Sequence, residues 1–164
     1  MDQEEIVDAI RDWLDEDGWR YEYDAERHLI KMGINLKSKI KSGRIYVDVK
    51  EDCYVVYLVS PINGSVNNLG ELLKYVTMAN RGLLSGNFEV DVEDGEIRYK
   101  TYVDCEGLKA LSTEVVRNSI CVPCCMMDRY GNGLAALAME FSDAETEIKK
   151  AEAPSDSSQD EQAD

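Results

Sequence analysis

Apolar side chains recur at every second position in a series of short segments: Ile30, Met32, Ile34 and Leu36, then Ile45, Val47 and Val49, then Tyr54, Val56 and Leu58. The pattern returns in Phe88, Val90 and Val92 and in Ile97, Tyr99 and Thr101. A period of two places each set on one face of a strand. Tight turns are signalled between successive segments, by Glu51-Asp52 and by Asp94-Gly95, so the strands are expected to pair antiparallel. The segment WRYEY, with Trp19, Tyr21 and Tyr23 alternating, adds a strand at the start. Such a sheet has at least one apolar face, which other elements must cover.

The cover is written in a different period. Asp2 can cap a helix whose apolar face is Ile6, Ile10, Trp13 and Leu14, with Gly18 ending it. Leu69, Leu72, Leu73, Val76, Ala79 and Leu83 follow helical spacing over 66–83, with Gly82 placed as a left-handed cap. A helix capped by Ser112 or Thr113 is expected to break or restart at Pro123, and Gly131 and Gly133 read as a turn about Asn132. Ser142 with Glu145 spells a capping box for a closing helix that carries Ala144, Ile148 and Ala151. The expected fold class is α+β, an antiparallel sheet with packed helices in the order α-β-β-β-β-α-β-β-α-α. With a two-residue Asp94-Gly95 turn, Asp91 should oppose Arg98 and Glu89 should oppose Lys100.

The 164 residues suit one domain, expected to span 1–151, followed by a polar acidic tail, 152–164, with nothing to bury. The 33 acidic residues outnumber the 18 basic ones, giving a net charge of -15. That potential repels phosphate backbones and anionic lipid, so neither nucleic acid nor a membrane surface is an expected partner. The chain opens MDQEEIVDAIRDW, without a basic stretch followed by an apolar one, and reads as cytoplasmic.

Five cysteines include the run CVPCC, from Cys121 to Cys125. A thioredoxin-type C-x-P-C follows a strand, whereas EVVRNSI before Cys121 has helical spacing. Structural zinc needs a second ligand pair, and Cys53, Cys105 and His28 are scattered. Packing is the more economical reading of Cys124, which continues a stripe of Val116, Ile120 and Met127. Cys121 and Cys125 share a ridge with Arg117 and Arg129, which could lower their pKa and make them reactive thiols. No catalytic residue and no cofactor are expected: one histidine, His28, restricts nucleophilic triads, and SPINGSVNN lacks the lysine of a phosphate loop.

The strand Cys53–Val59 is apolar on both faces. Tyr54, Val56 and Leu58 take one side, while Cys53, Val55, Tyr57 and Val59 take the other, where Tyr46 should lie opposite Tyr57. If helices cover one side of the sheet only, Tyr46, Cys53, Val55, Tyr57 and Val59 form an interface.

The run YVTMANRGLLSGNFEVDVEDGEIRYKTYVDCEG, followed by SICVPCCMMDRYGNG, resembles the YbjN-domain family of bacterial proteins over residues 3–150. The resemblance implies a type III secretion chaperone-like α/β fold and a role in regulating sensory transduction, and it supplies no catalytic residues. The function expected is that of a non-enzymatic protein- or peptide-binding module, chaperone-like or regulatory, acting as a homodimer. The alternative is a redox- or metal-responsive regulator using Cys121 and Cys125.

Overall fold

The computed structural model describes residues 1–154. Its elements are α1 (Gln3–Glu16), β1 (Tyr21–Asp24), β2 (Leu29–Asn35), β3 (Ser42–Val49), β4 (Cys53–Val59), α2 (Leu69–Asn80), β5 (Asn87–Val90), β6 (Ile97–Asp104), α3 (Thr113–Ala138) and α4 (Ala144–Glu152). One antiparallel sheet has the strand order β1-β2-β3-β4-β6-β5, and the element order is the one the sequence patterns imply. The acidic tail expected from residue 152 lies outside the described residues from 155 onward, and α4 runs to Glu152.

Strands β2, β3, β4 and β6 bury most of the side-chain set chosen by their period, β5 buries Phe88, and β1 leaves Tyr21 and Tyr23 half-buried. Ile30, Ile45, Val47, Tyr54, Val56, Leu58, Ile97 and Tyr99 are fully enclosed against the helices. The register aligns them across the sheet, with Ile45 opposite Leu58, Val47 opposite Val56, and Leu58 opposite Tyr99. The helix α1 adds Ile6, Val7, Ile10 and Leu14 to this core. It begins in a complete capping box: Asp2 accepts from the Glu5 N–H at 2.9 Å and Glu5 accepts from the Asp2 N–H at 2.9 Å. It ends at Gly18, with φ +75°.

Four local expectations are corrected. The hairpin β5–β6 pairs Glu89 with Arg98 and Val90 with Ile97, two residues out of the expected register. Asp91 and Glu96 close a wider loop, and Val92 is exposed. A slip of two preserves the face of every side chain, so the apolar pattern carries no information against it. Gly82 is not left-handed, and α2 closes through Arg81 in helical conformation. The cap of α4 is Asp143, which accepts from the Thr146 N–H at 2.9 Å, in place of Ser142.

The largest correction concerns α3, which runs unbroken through Pro123, Gly131 and Gly133. A proline removes the N–H that would bond the carbonyl four residues earlier, here Ser119. Thr101 of β6, itself buried, donates its hydroxyl to that carbonyl at 2.7 Å. The Ser119 side chain donates to the Val116 carbonyl at 2.7 Å and lies 3.0 Å from the Tyr54 hydroxyl. The sheet therefore satisfies the group that the proline orphans. Thr101→Val keeps the shape and leaves the Ser119 carbonyl unpartnered, so a loss of about 2 kcal/mol is expected in urea denaturation. A variant as stable as the parent would disprove that account of Pro123.

The two glycines of α3 are contact points. A Cβ on Gly131 would lie 2.5 Å from the Ser38 hydroxyl, and one on Gly133 would lie 2.4 Å from the Tyr75 hydroxyl. Asn132, expected in a turn, accepts from the Lys39 N–H at 2.8 Å, and Asp128 one turn earlier accepts from Lys37 and Ser38 N–H at 2.7 and 3.1 Å. These contacts hold the β2–β3 loop against α3.

Candidate functional site

All the buried strand residues share one face of the sheet, and α1, α2 and α3 contact the strands there. The opposite face carries no helix among the described residues. Its side chains alternate with the core set, as the pleat requires. The candidate residues converge on it: Tyr46 lies directly opposite Tyr57, as alternation along the two strands implies, with Val55 and Val59 on either side of Tyr57 along β4 and Cys53 at the strand's start. All five are half-buried.

Leu29 and Tyr102, which the sequence patterns did not single out, extend the same surface. Leu29, Asp48, Val55 and Tyr102 form one row across β2, β3, β4 and β6. Tyr102 is 58 % exposed, the most open aromatic of the face. Its position was implicit in the parity of β6, since Arg98 and Lys100 alternate with the enclosed Ile97 and Tyr99. The result is a strip of aliphatic and aromatic side chains across the middle of the sheet.

Charges frame the strip at both ends, and the two ends differ. On β5–β6, Glu89 accepts from Arg98 at 2.8 Å and from Lys100 at 3.3 Å. Burial opposes ionisation of the Glu89 carboxyl, but hydrogen bonds from Arg98 and Lys100 outweigh it and hold the pKa below the ordinary value. The Arg98 guanidinium also sits 4.7 Å from the centre of the Tyr57 ring, a cation–π contact that orients that ring on the strip. On β1–β3, Arg20, Lys31 and Arg44 gather without a carboxylate within 4.0 Å among the described residues.

Cys121, Cys124 and Cys125 lie elsewhere, on α3, and Cys105 is buried just after β6, so that Cys53 is the thiol that joins this face. Cys124 packs against the core, donates to the Ile120 carbonyl at 3.4 Å, and has its pKa pushed up to about 12 by burial. The expectation of a lowered thiol pKa fails at Cys121: burial raises it, and Arg117 offsets only part of that. Arg129 is engaged elsewhere, donating to the Ala151 carbonyl at 3.2 Å and stacking 5.2 Å from the Tyr130 ring centre. Cys125 is exposed. Among the described residues no three His, Cys, Asp or Glu side chains are grouped to hold a metal ion, and no helix is long and apolar enough to cross a membrane. His28 occupies the β1–β2 turn with φ +48°, its ring 3.3 Å from the Tyr23 hydroxyl and 3.5 Å from Glu4.

Known proteins resemble this arrangement. The fold matches the crystal structure of YbjN from E. coli, described as "a putative transcription regulator", with a TM-score of 0.58 and 11% sequence identity over 82% of this chain and 92% of that one. At that identity the likeness concerns the fold alone. No curated protein matches the sequence. The family model YbjN, "Putative bacterial sensory transduction regulator", matches residues 7–120, from α1 into α3, and stops one residue short of CVPCC. The match is narrower than the stretch 3–150 over which the sequence resembles the family, but it covers all six strands. With the family's model spanning well over half of the chain and the same α+β architecture in E. coli YbjN, this protein belongs to the YbjN family.

Proposed function

We propose that the protein is a non-enzymatic regulatory module that binds polypeptide on the open face of its sheet and closes a homodimer through the same face when no partner is present. The observation that carries this reading is the helix-free face itself, where Tyr46, Val55, Tyr57, Val59 and Tyr102 form a contiguous apolar strip between two charged margins. An apolar centre with a polar rim is the anatomy of a protein interface. The family description as a sensory transduction regulator supports a regulatory role, and the description of E. coli YbjN as a transcription regulator is consistent with one. Chemistry finds less support: His28 lies in a turn, and of the two candidate thiols Cys121 is raised by burial.

The test is to replace Val55 and Tyr57 together with serine. Both side chains are only half-buried, so the variant should keep its circular dichroism spectrum and lose about 1–2 kcal/mol of stability. Self-association measured by sedimentation should weaken roughly tenfold or more, because the centre of the strip is gone. In the parent, added salt should strengthen the dimer, since two chains of net charge -15 repel one another. A folded variant that dimerises as tightly as the parent would refute the assignment.

A further inference from the structure

The β1–β3 margin of the open face contains a gap. Gly33 lies opposite Arg44 in the β2–β3 register, and the step outward from the Tyr21–Met32 pair places Arg20 on its other side. Arg20, which precedes β1, therefore borders one gap with Gly33 and Arg44, two arginines about 10 Å apart with no side chain between them. A Cβ on Gly33 would meet nothing within 4 Å, and its φ is not one that requires glycine. Lys31, the preceding side chain on the same face of β2, stands diagonal to Arg44. The gap opens into a shallow cavity of about 510 Å³, and Gly33, Arg44 and Tyr46 also line a neighbouring one of about 360 Å³.

The charges here contrast with the rest of the sheet. Arg98, Lys100 and Lys50 each have a carboxylate within 4.0 Å. Arg20, Lys31 and Arg44 have none among the described residues, although acidic residues outnumber basic ones in the chain. Glu22 lines the same cavity opposite Lys31 but does not bridge to it, so the notch keeps an excess of two positive charges. Adjacent like charges are unfavourable unless an anion lies between them. Two guanidinium forks suit a carboxylate, which each can hold through paired hydrogen bonds.

We infer that the Arg20–Gly33–Arg44 notch receives a carboxylate side chain of an acidic peptide whose neighbouring apolar residue lies on Tyr46 and Tyr57. The inference rests on the open face being a docking surface and names the class of segment that docks there. A nucleic acid is disfavoured because it carries a charge at every nucleotide, most of which would lie beyond the reach of three local cations and face an overall charge of -15, whereas a short peptide can place a carboxylate in the notch itself. The notch is one or two side chains in size, and its Tyr46 wall continues into the apolar strip, so a peptide can engage both at once.

The experiment follows backbone amide shifts of the full chain, dilute and at neutral pH, during titration with the peptide acetyl-DEFLDE-amide. The near-isosteric acetyl-NQFLNQ-amide and inorganic phosphate are titrated in parallel. The acidic peptide should move Gly33 and Arg44 together with Val55 and Tyr57, and should bind roughly tenfold tighter than the amide peptide. Salt should erase that difference, opposite to its effect on the dimer. Arg20→Glu with Arg44→Glu, both on exposed side chains, should reverse the preference while leaving the spectrum folded. If both peptides move Val55 and Tyr57 but the acidic one adds nothing at Gly33, the notch assignment is wrong and the docking face stands. If neither peptide moves either set, both readings fall. Shifts at Gly33 with phosphate but not with peptide overturn the peptide assignment in favour of a small anion.

Discussion

Between about pH 10 and 12 the protein is expected to lose stability on the order of 5 kcal/mol, and to unfold there in modest denaturant. The cause is three tyrosines enclosed in the core. Burial pushes the pKa of Tyr54 and of Tyr99 up to about 12 and raises that of Tyr75 further. At Tyr54 the hydrogen bond with Ser119 opposes the shift without cancelling it. A phenol whose folded pKa exceeds its unfolded value of about 10 binds its proton more tightly in the native state. Its contribution is complete below about pH 10 and disappears as the pH rises through about 12. Cys105, raised to about 11 by burial, begins the loss at lower pH. Urea denaturation at pH 8, 10 and 11 measures the slope, which should approach about 3 kcal/mol per pH unit for two groups alone. General repulsion in an acidic chain would also weaken the fold at high pH, but salt screens it. A stability unchanged from pH 8 to 11, or restored in full by about 0.5 M salt, would rule out the buried phenols as the cause.

Gly133→Ala is expected to destabilise the protein by about 2–3 kcal/mol, despite alanine being the better helix former by about 1 kcal/mol. The new Cβ would stand 2.4 Å from the Tyr75 hydroxyl, 2.6 Å from the ring carbon that bears it, and 3.0 Å from the Glu147 Cβ. Tyr75 has no free space to retreat into: it is fully enclosed, its ring packs edge-on to Tyr130, and its hydroxyl donates to the Tyr130 carbonyl at 3.0 Å. Relief of the clash therefore breaks a buried hydrogen bond or separates α3 from α2 and α4. Tyr75→Phe removes the nearest atom, so the double variant should lose less than the sum of the two single changes. Additive losses, or a Gly133→Ala variant more stable than the parent, would show that the helices close differently.

The contrast between Gly131 and Gly133, which share one turn of α3, and the strands shows what kind of information a sequence holds. Tyr46 opposite Tyr57 was legible because the Glu51-Asp52 turn fixes the β3–β4 register and the period of two fixes the face. The Asp2 cap and the Gly18 stop were legible because their partners lie within a few residues, although the reciprocal contact of Glu5 was not. In the β5–β6 hairpin the same kind of turn signal gave the wrong register. The loop is held from outside: the Gly64 N–H donates to the Gly95 carbonyl at 2.8 Å, and the two backbones approach too closely for any side chain at Gly95. RYGNG looked like a turn because glycine and asparagine favour turns, yet here the glycines admit Ser38 and Tyr75 and the asparagine anchors a loop.

The candidate site divides in the same way. The five residues Tyr46, Cys53, Val55, Tyr57 and Val59 could be placed on one face from alternation alone, whereas whether anything covers that face depends on where the helices pack. The notch was invisible, because Arg20, Gly33 and Arg44 come from three segments and border one gap only through pairing. By itself the sequence determined the elements, their order and the face each side chain takes, since these follow from local periodicity and short-range caps. Only the tertiary structure decided the continuity of α3 through Pro123, the β5–β6 register and, among the described residues, the absence of a helix from the second sheet face. Each of those is settled by a contact between residues distant in the chain: the Thr101 hydroxyl on the Ser119 carbonyl, the Gly64 backbone on Gly95, and the gathering of the helices on one side.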